Sequence, residues 1–304
     1  MKGSAGAIIP ANWEAKGSGE MRKLSLILVS IILVALVSGC VSTESPGASN
    51  VTSGSHTGTT SPVASGPKLY TAEELLEKMK GIEQFTYFEN TSLKLTMNLA
   101  VGNLTQSENV TIIYRKAGYV DLKDREASIN ITTVTFPGGA SVFTRQIVKG
   151  NDIYIFASGS WIKLTNATSK LNVSKILNFT WEYNTVSFAM KYLKRKPSNV
   201  SYANGTELLY YPITKEDLAA IASAFLGSNT NVSLNVTNGI LELRFRNGTF
   251  VGGRMAYRME VTLRTVQPTG TPVEVHEVGH VYDEFVVKDI NVKKPVHVPA
   301  SYRA

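Results

Sequence analysis

The chain has 304 residues, 43% of them hydrophobic and 18% charged, with a formal net charge of +7 and a single cysteine. That apolar content supports a folded core and excludes a wholly disordered chain. One cysteine excludes an intrachain disulfide and a spaced cysteine cluster. The weak positive charge is dispersed, without the basic block that nucleic-acid binders carry, so no nucleic-acid partner is expected.

Residues 1–20 are polar and glycine-rich and carry both signs of charge. They sit awkwardly before Met21 and are expected to be a misassigned N-terminal extension. Residues 21–39 have the layout of a secretory signal peptide: Arg22 and Lys23, an apolar run over 24–37, then small residues. The run is shorter than the roughly 20 residues that a bilayer-spanning helix needs. Its ending, LVSGC, resembles the lipobox of prokaryotic lipoproteins, which is cut before a cysteine that is then lipidated. The resemblance implies that Cys40 anchors the protein to the extracytoplasmic face of the cell membrane. Removing residues 1–39 takes away Lys2, Lys16, Arg22, Lys23, Glu14 and Glu20, leaving 27 basic against 22 acidic residues.

Thirteen of the 20 asparagines open an Asn-x-Ser/Thr sequon: Asn50, Asn90, Asn103, Asn109, Asn130, Asn166, Asn172, Asn178, Asn199, Asn204, Asn231, Asn235 and Asn247. Asparagine, serine and threonine do cluster in turns, but this surplus points to N-glycosylation outside the membrane. Most bacteria use the lipobox without N-glycosylation, and eukaryotes glycosylate without the lipobox. An archaeal source fits both.

Residues 40–68 follow as the lipidated cysteine and a stalk rich in Ser, Thr, Gly and Pro, too polar to bury a core. As a coil it would hold the domain roughly 30 Å from its anchor. The domain, 69–304, opens with a helix in YTAEELLEKMKGI, where Thr71 and Glu74 form a capping box and Leu75, Leu76, Met79 and Ile82 an apolar stripe. The period then changes to two. TSLKLTMNLAV alternates Leu93, Leu95, Met97, Leu99 and Val101, and ENVTIIYRK, 119–136, SVFTRQIVK and NDIYIFAS continue it, with turns expected at Ala117-Gly118, PGG and KGND.

A second helical region is expected over 169–196, ending in Lys194, Arg195 and Lys196 before Pro197. Those three cations suit a helix C-terminus. Asn204-Gly205 predicts a hairpin, and Thr214 with Asp217 a helix through Leu226 and Gly227. Asn238-Gly239 and Asn247-Gly248 predict two more turns, and PTGTP the last. No internal repeat is present. The predicted class is α+β: a long curved antiparallel sheet, a half-barrel, with helices packed on its concave side.

Within this order lies GNDIYIFASGSWIKL, with Gly150, Tyr154, Gly159, Trp161 and Lys163, and the domain ends in VVKDINVKKPVHVP. The run resembles the hairpin of lipoproteins with the LolA/LppX-like fold, and the resemblance extends over roughly 70–298. In that family a curved, incomplete barrel wraps helices around an apolar cavity for lipid. The resemblance therefore implies a carrier or binder, with a lipid or other apolar molecule as its partner, and no cofactor.

HEVGH at 276–280 matches the zinc-peptidase pattern H-E-x-x-H. On a helix, His276 and His280 would share one face and a metal. On a strand they would lie about 13 Å apart, with Glu277 on the opposite face. Thr271, Pro272 and Glu274 suit a helix start, but the β-branched crowd of Val273, Val275, Val278, Val281, Val286 and Val287 favours a strand. A third ligand at zincin spacing is missing, so no metal and no catalytic residues are expected. Asp283 and Glu284 read as surface charges. The leading expectation is an anchored lipoprotein that binds an apolar ligand and is not an enzyme. The alternatives are a structural or adhesive envelope glycoprotein with a filled core and a zinc metallopeptidase.

Overall fold

The computed structural model describes residues 69–165, 173–218, 231–266 and 270–302. Cys40, the signal peptide, the stalk, Asn50, Asn166 and Asn172 lie outside them; of the helix expected from Thr214 to Gly227, the first turn, 215–218, is helical and the rest lies outside. Within the described residues, helix α1 (Ala72–Lys80) precedes a single antiparallel sheet. Its strands are β1 (Gln84–Val101), β2 (Leu104–Asp121), β3 (Glu126–Phe136), β4 (Ala140–Lys149), β5 (Asp152–Ala157), β6 (Ser160–Leu164), β7 (Asn199–Ala203), β8 (Thr206–Ile213), β9 (Asn231–Arg246), β10 (Thr249–Val266) and β11 (Pro272–Lys288). Helices α2 (Val173–Glu182) and α3 (Thr185–Leu193) lie between β6 and β7.

The sheet order is β6-β5-β4-β3-β2-β1-β11-β10-β9-β8-β7. The chain starts at the centre, meanders to one edge, crosses to the other edge through α2 and α3, and meanders back to lie beside its own first strand. A crossover between the two edges must run over one face, and this places the helices there. The Tyr192 ring of α3 packs against Tyr211 of β8 at 5.7 Å between centroids, and Val186, Phe188 and Leu193 are buried with it. The architecture is the expected half-barrel with helices on its concave side.

Alternation decides which face they cover. Along β11 every odd position from Val273 to Val287 is buried, while the even positions are half-buried or exposed. On β1 the inner set is Phe85, Tyr87, Glu89, Thr91, Leu93, Leu95 and Met97. Irregular register between Phe250 and Gly252, and between Ala256 and Arg258, bends the β9–β10 ribbon as bulges do.

Helix α1 has the predicted capping box: the Glu74 N–H donates to Thr71 Oγ1 at 3.2 Å, and the Thr71 N–H donates to Glu74 Oε2 at 2.8 Å. The turns at Asn204-Gly205 and Asn247-Gly248 form as expected, each with positive φ at both residues. Three local expectations fail. Ala117-Gly118 is no turn: β2 runs through it to Asp121, and Gly118 exists because a Cβ there would sit 2.3 Å from the Tyr87 ring. Asn238-Gly239 lies inside β9, where Asn238 at φ 53° belongs to the second irregularity, opposite Ala256–Arg258. The second helical region is broken at Tyr183–Asn184, where Asn184 caps α3 by accepting from the Ser187 N–H at 3.0 Å.

After β11 the chain crosses the convex face of β2–β6. Tyr119 Oη accepts from the Lys294 N–H at 3.0 Å, Lys149 Nζ donates to the Val296 carbonyl at 3.3 Å, and Tyr302 Oη accepts from the Lys163 N–H at 3.2 Å. Tyr119, Ile147, Tyr154 and Val296 form a second small core there, with Trp161 and Val298 against it. The Tyr154 and Trp161 of the resemblance thus hold down the C-terminal segment.

Candidate functional site

HEVGH lies in the middle of β11, fully extended. His276 and His280 point to the convex side. His276 Nδ1 is 2.9 Å from Thr262 Oγ1, and His280 stands in register between Lys94 of β1 and Arg258 of β10. Two cations beside it make a poor setting for a divalent metal. Glu277 points to the other side and is 1% exposed. The strand therefore parts the two histidines and removes the glutamate from both, which excludes the zincin geometry.

Glu277 leads to the site that sequence reasoning missed. The inner wall is apolar over most of its area, but a polar patch sits in it. Tyr114 of β2, Thr91 of β1 and Asp283 of β11 are register partners in one row across three strands. In the next row Lys116 pairs with Glu89, and the two side chains form a buried ion pair. Asp283 is 2% exposed, so its expected place on the surface is wrong: strand parity turns it inward. Its neighbour Glu284 faces outward and meets Arg244, which also bonds Glu242 at 2.7 Å. Arg254 reaches Glu242 at 2.8 Å.

Several inner polar atoms have no hydrogen-bond partner: Thr91 Oγ1, Tyr114 Oη, Tyr211 Oη and both carboxyl oxygens of Glu277. Glu277 is flanked in its row by Met97 and Val261, both buried and neither able to donate a hydrogen bond to it. An isolated charge in such surroundings is costly. Burial pushes the Glu277 acid up to about 7. Burial also raises the Tyr114 hydroxyl, and the nearby Glu277 carboxylate raises it further. Buried polar groups in folded proteins are nearly always paired, so this run of partnerless atoms on one wall marks it out.

Asn103, Asn109, Asn130, Asn178, Asn199, Asn204, Asn235 and Asn247 are exposed and Asn90 is half-buried; Asn231 starts β9. Strand parity puts Asn90, Asn109 and Asn130 on the convex face, away from the inner wall. Of the basic run after α3, Arg195 is engaged within the fold: it bonds Asp217 at 3.1 Å and lies over the Tyr192 ring.

No protein-family model matches the chain, and no curated protein matches it. Among solved structures the chain is similar to LprF from Mycobacterium bovis, with 12% identity and a TM-score of 0.34, over 75% of this chain and 95% of that one.

Proposed function

We propose that this is a lipid-anchored, N-glycosylated lipoprotein on the extracytoplasmic face of an archaeal cell membrane, whose half-barrel binds a lipid or other apolar ligand against its inner wall. The reading is of a binder and not an enzyme. The observation that carries it is the inner wall: a continuous apolar surface on long strands, interrupted by polar atoms that the protein leaves without partners. Such a surface suits an amphiphile, whose chain lies on apolar side chains and whose polar end meets the patch. The lipobox-like ending at Cys40 and the sequons support a wall that lies outside the cell and near lipid.

A second reading, a structural or adhesive envelope glycoprotein, draws on the aromatic side chains that fill part of the interior. Phe250 packs between Phe245 at 5.3 Å and Phe285 at 5.9 Å. Native mass spectrometry of protein extracted from its own membrane separates the two. A co-purified lipid released on unfolding supports the binder. Protein that leaves the membrane bare, and takes up no lipid from mixed vesicles, supports the solid core instead.

A further inference from the structure

The chemistry of the inner wall narrows the class of ligand, on the reading that an apolar ligand binds there. Four acids are buried on the inner face among the described residues, Glu89, Glu207, Glu277 and Asp283, against one base, Lys116. Lys116 is taken by Glu89. The Tyr70 N–H donates to Glu207 at 3.3 Å, at the far end of β8. Both oxygens of Glu277 are buried and without a partner, and the Tyr114 hydroxyl lies near enough to feel its charge.

An anion brought to this wall would face an excess of carboxyl groups in surroundings that screen poorly. A hydrogen-bond donor meets two carboxyl oxygens with nothing else to accept, and the Tyr114 hydroxyl, which can accept as well. We infer that Glu277, with the Tyr114 hydroxyl, holds the polar end of the bound amphiphile, and that this end is a hydrogen-bond donor without negative charge, an amine or an alcohol. A primary amine gains a buried ion pair with Glu277, and an alcohol gains a hydrogen bond; a carboxylate or phosphate head gains neither. Glu277 has no contact with solvent, so the head reaches it only when cover on the concave side parts from the sheet.

The test uses the full chain, stripped of bound lipid, with three probes that share one alkyl chain: hexadecylamine, hexadecan-1-ol and hexadecanoate. Affinities are read by displacement of a fluorescent alkyl probe at about pH 8, where Glu277 is ionised. The amine and the alcohol should bind roughly 10-fold or more tighter than hexadecanoate. Glu277→Gln keeps the shape and removes the charge; it should shrink the preference for amine over hexadecanoate by roughly 10- to 100-fold while all three chains still bind. Tyr114→Phe should weaken the amine and the alcohol by a few-fold and leave hexadecanoate unchanged. Hexadecanoate binding wild type as tightly as the amine, or a preference unchanged in Glu277→Gln, overturns the inference and leaves the binder reading intact. Failure of every probe to bind overturns both.

Discussion

Replacing Glu277 by leucine, of similar volume, should stabilise the protein, and by an amount that depends on pH. Burial lifts this acid from an ordinary value of 4.5 to about 7. Between those values the folded state keeps a proton that the unfolded state has released. Stability is therefore lost as pH rises through that window: the penalty is absent well below the lower value and complete above the upper one. At about 1.4 kcal/mol per pH unit, the full penalty is roughly 3 kcal/mol. About 2.5 kcal/mol of it develops between about pH 5 and about pH 8. Leucine carries no such penalty. The stability gap between variant and wild type should widen by that amount across the interval, a difference in Tm of roughly 5–10 °C for a domain of this size. Urea or thermal unfolding followed by circular dichroism measures both proteins at both pH values, and the comparison cancels every group that they share. A gap that stays constant with pH would mean that the carboxyl finds water or a partner in the folded state, and the reasoning would fail.

Three other outcomes can be checked in the same way. Lys116→Met strands the Glu89 charge on the inner wall and should lower stability by about 3–5 kcal/mol in urea unfolding, and adding Glu89→Leu should recover most of the loss. Gly279→Ala puts a methyl group 2.1 Å from the Lys94 carbonyl oxygen and 2.7 Å from Leu95; β1 and β11 must separate to admit it, and Tm should fall by an amount equivalent to about 1–3 kcal/mol or more. Cys40→Ser should abolish detergent-dependent membrane retention, read by phase partitioning of cell fractions. A processed variant that still partitions with the membrane would remove the anchor from the proposal.

Much of this fold is legible in the sequence because its elements are strongly patterned. The Thr71–Glu74 box marks a helix start by local chemistry alone, and alternation over 91–101 and 273–287 assigns strand and face together. The β-branched crowd around HEVGH outweighs five letters that match a metal motif. What escapes is non-local. Gly118 and the Asn238-Gly239 pair look like turn residues, yet their places are set from outside: Gly118 by the ring of Tyr87, and Gly239 by the Ile213 carbonyl, 2.5 Å from where its Cβ would be. The polar patch is hidden for a similar reason. Glu89, Thr91, Lys116 and Asp283 look solvated by residue type, and only strand parity extended across three neighbours turns them inward. The C-terminal segment has no period at all; Tyr119, Lys149 and Lys163 fix its place, far away in the chain.

The central β1–β11 pair has a consequence for how the molecule comes into being. Every other pairing in the sheet joins strands that follow one another in the chain, so each meander can zip up from its own hairpins soon after it is made. The seam between them joins Thr86 to Lys288 and Val101 to Val273, and it has no partner until the last strand has arrived. Until then the first meander presents a bare edge of 18 residues and one uncovered apolar face. Such a surface invites pairing with other chains. Assembly of the sheet is thus gated by its final strand, and the interval before that strand is delivered is when a newly made chain most needs protection.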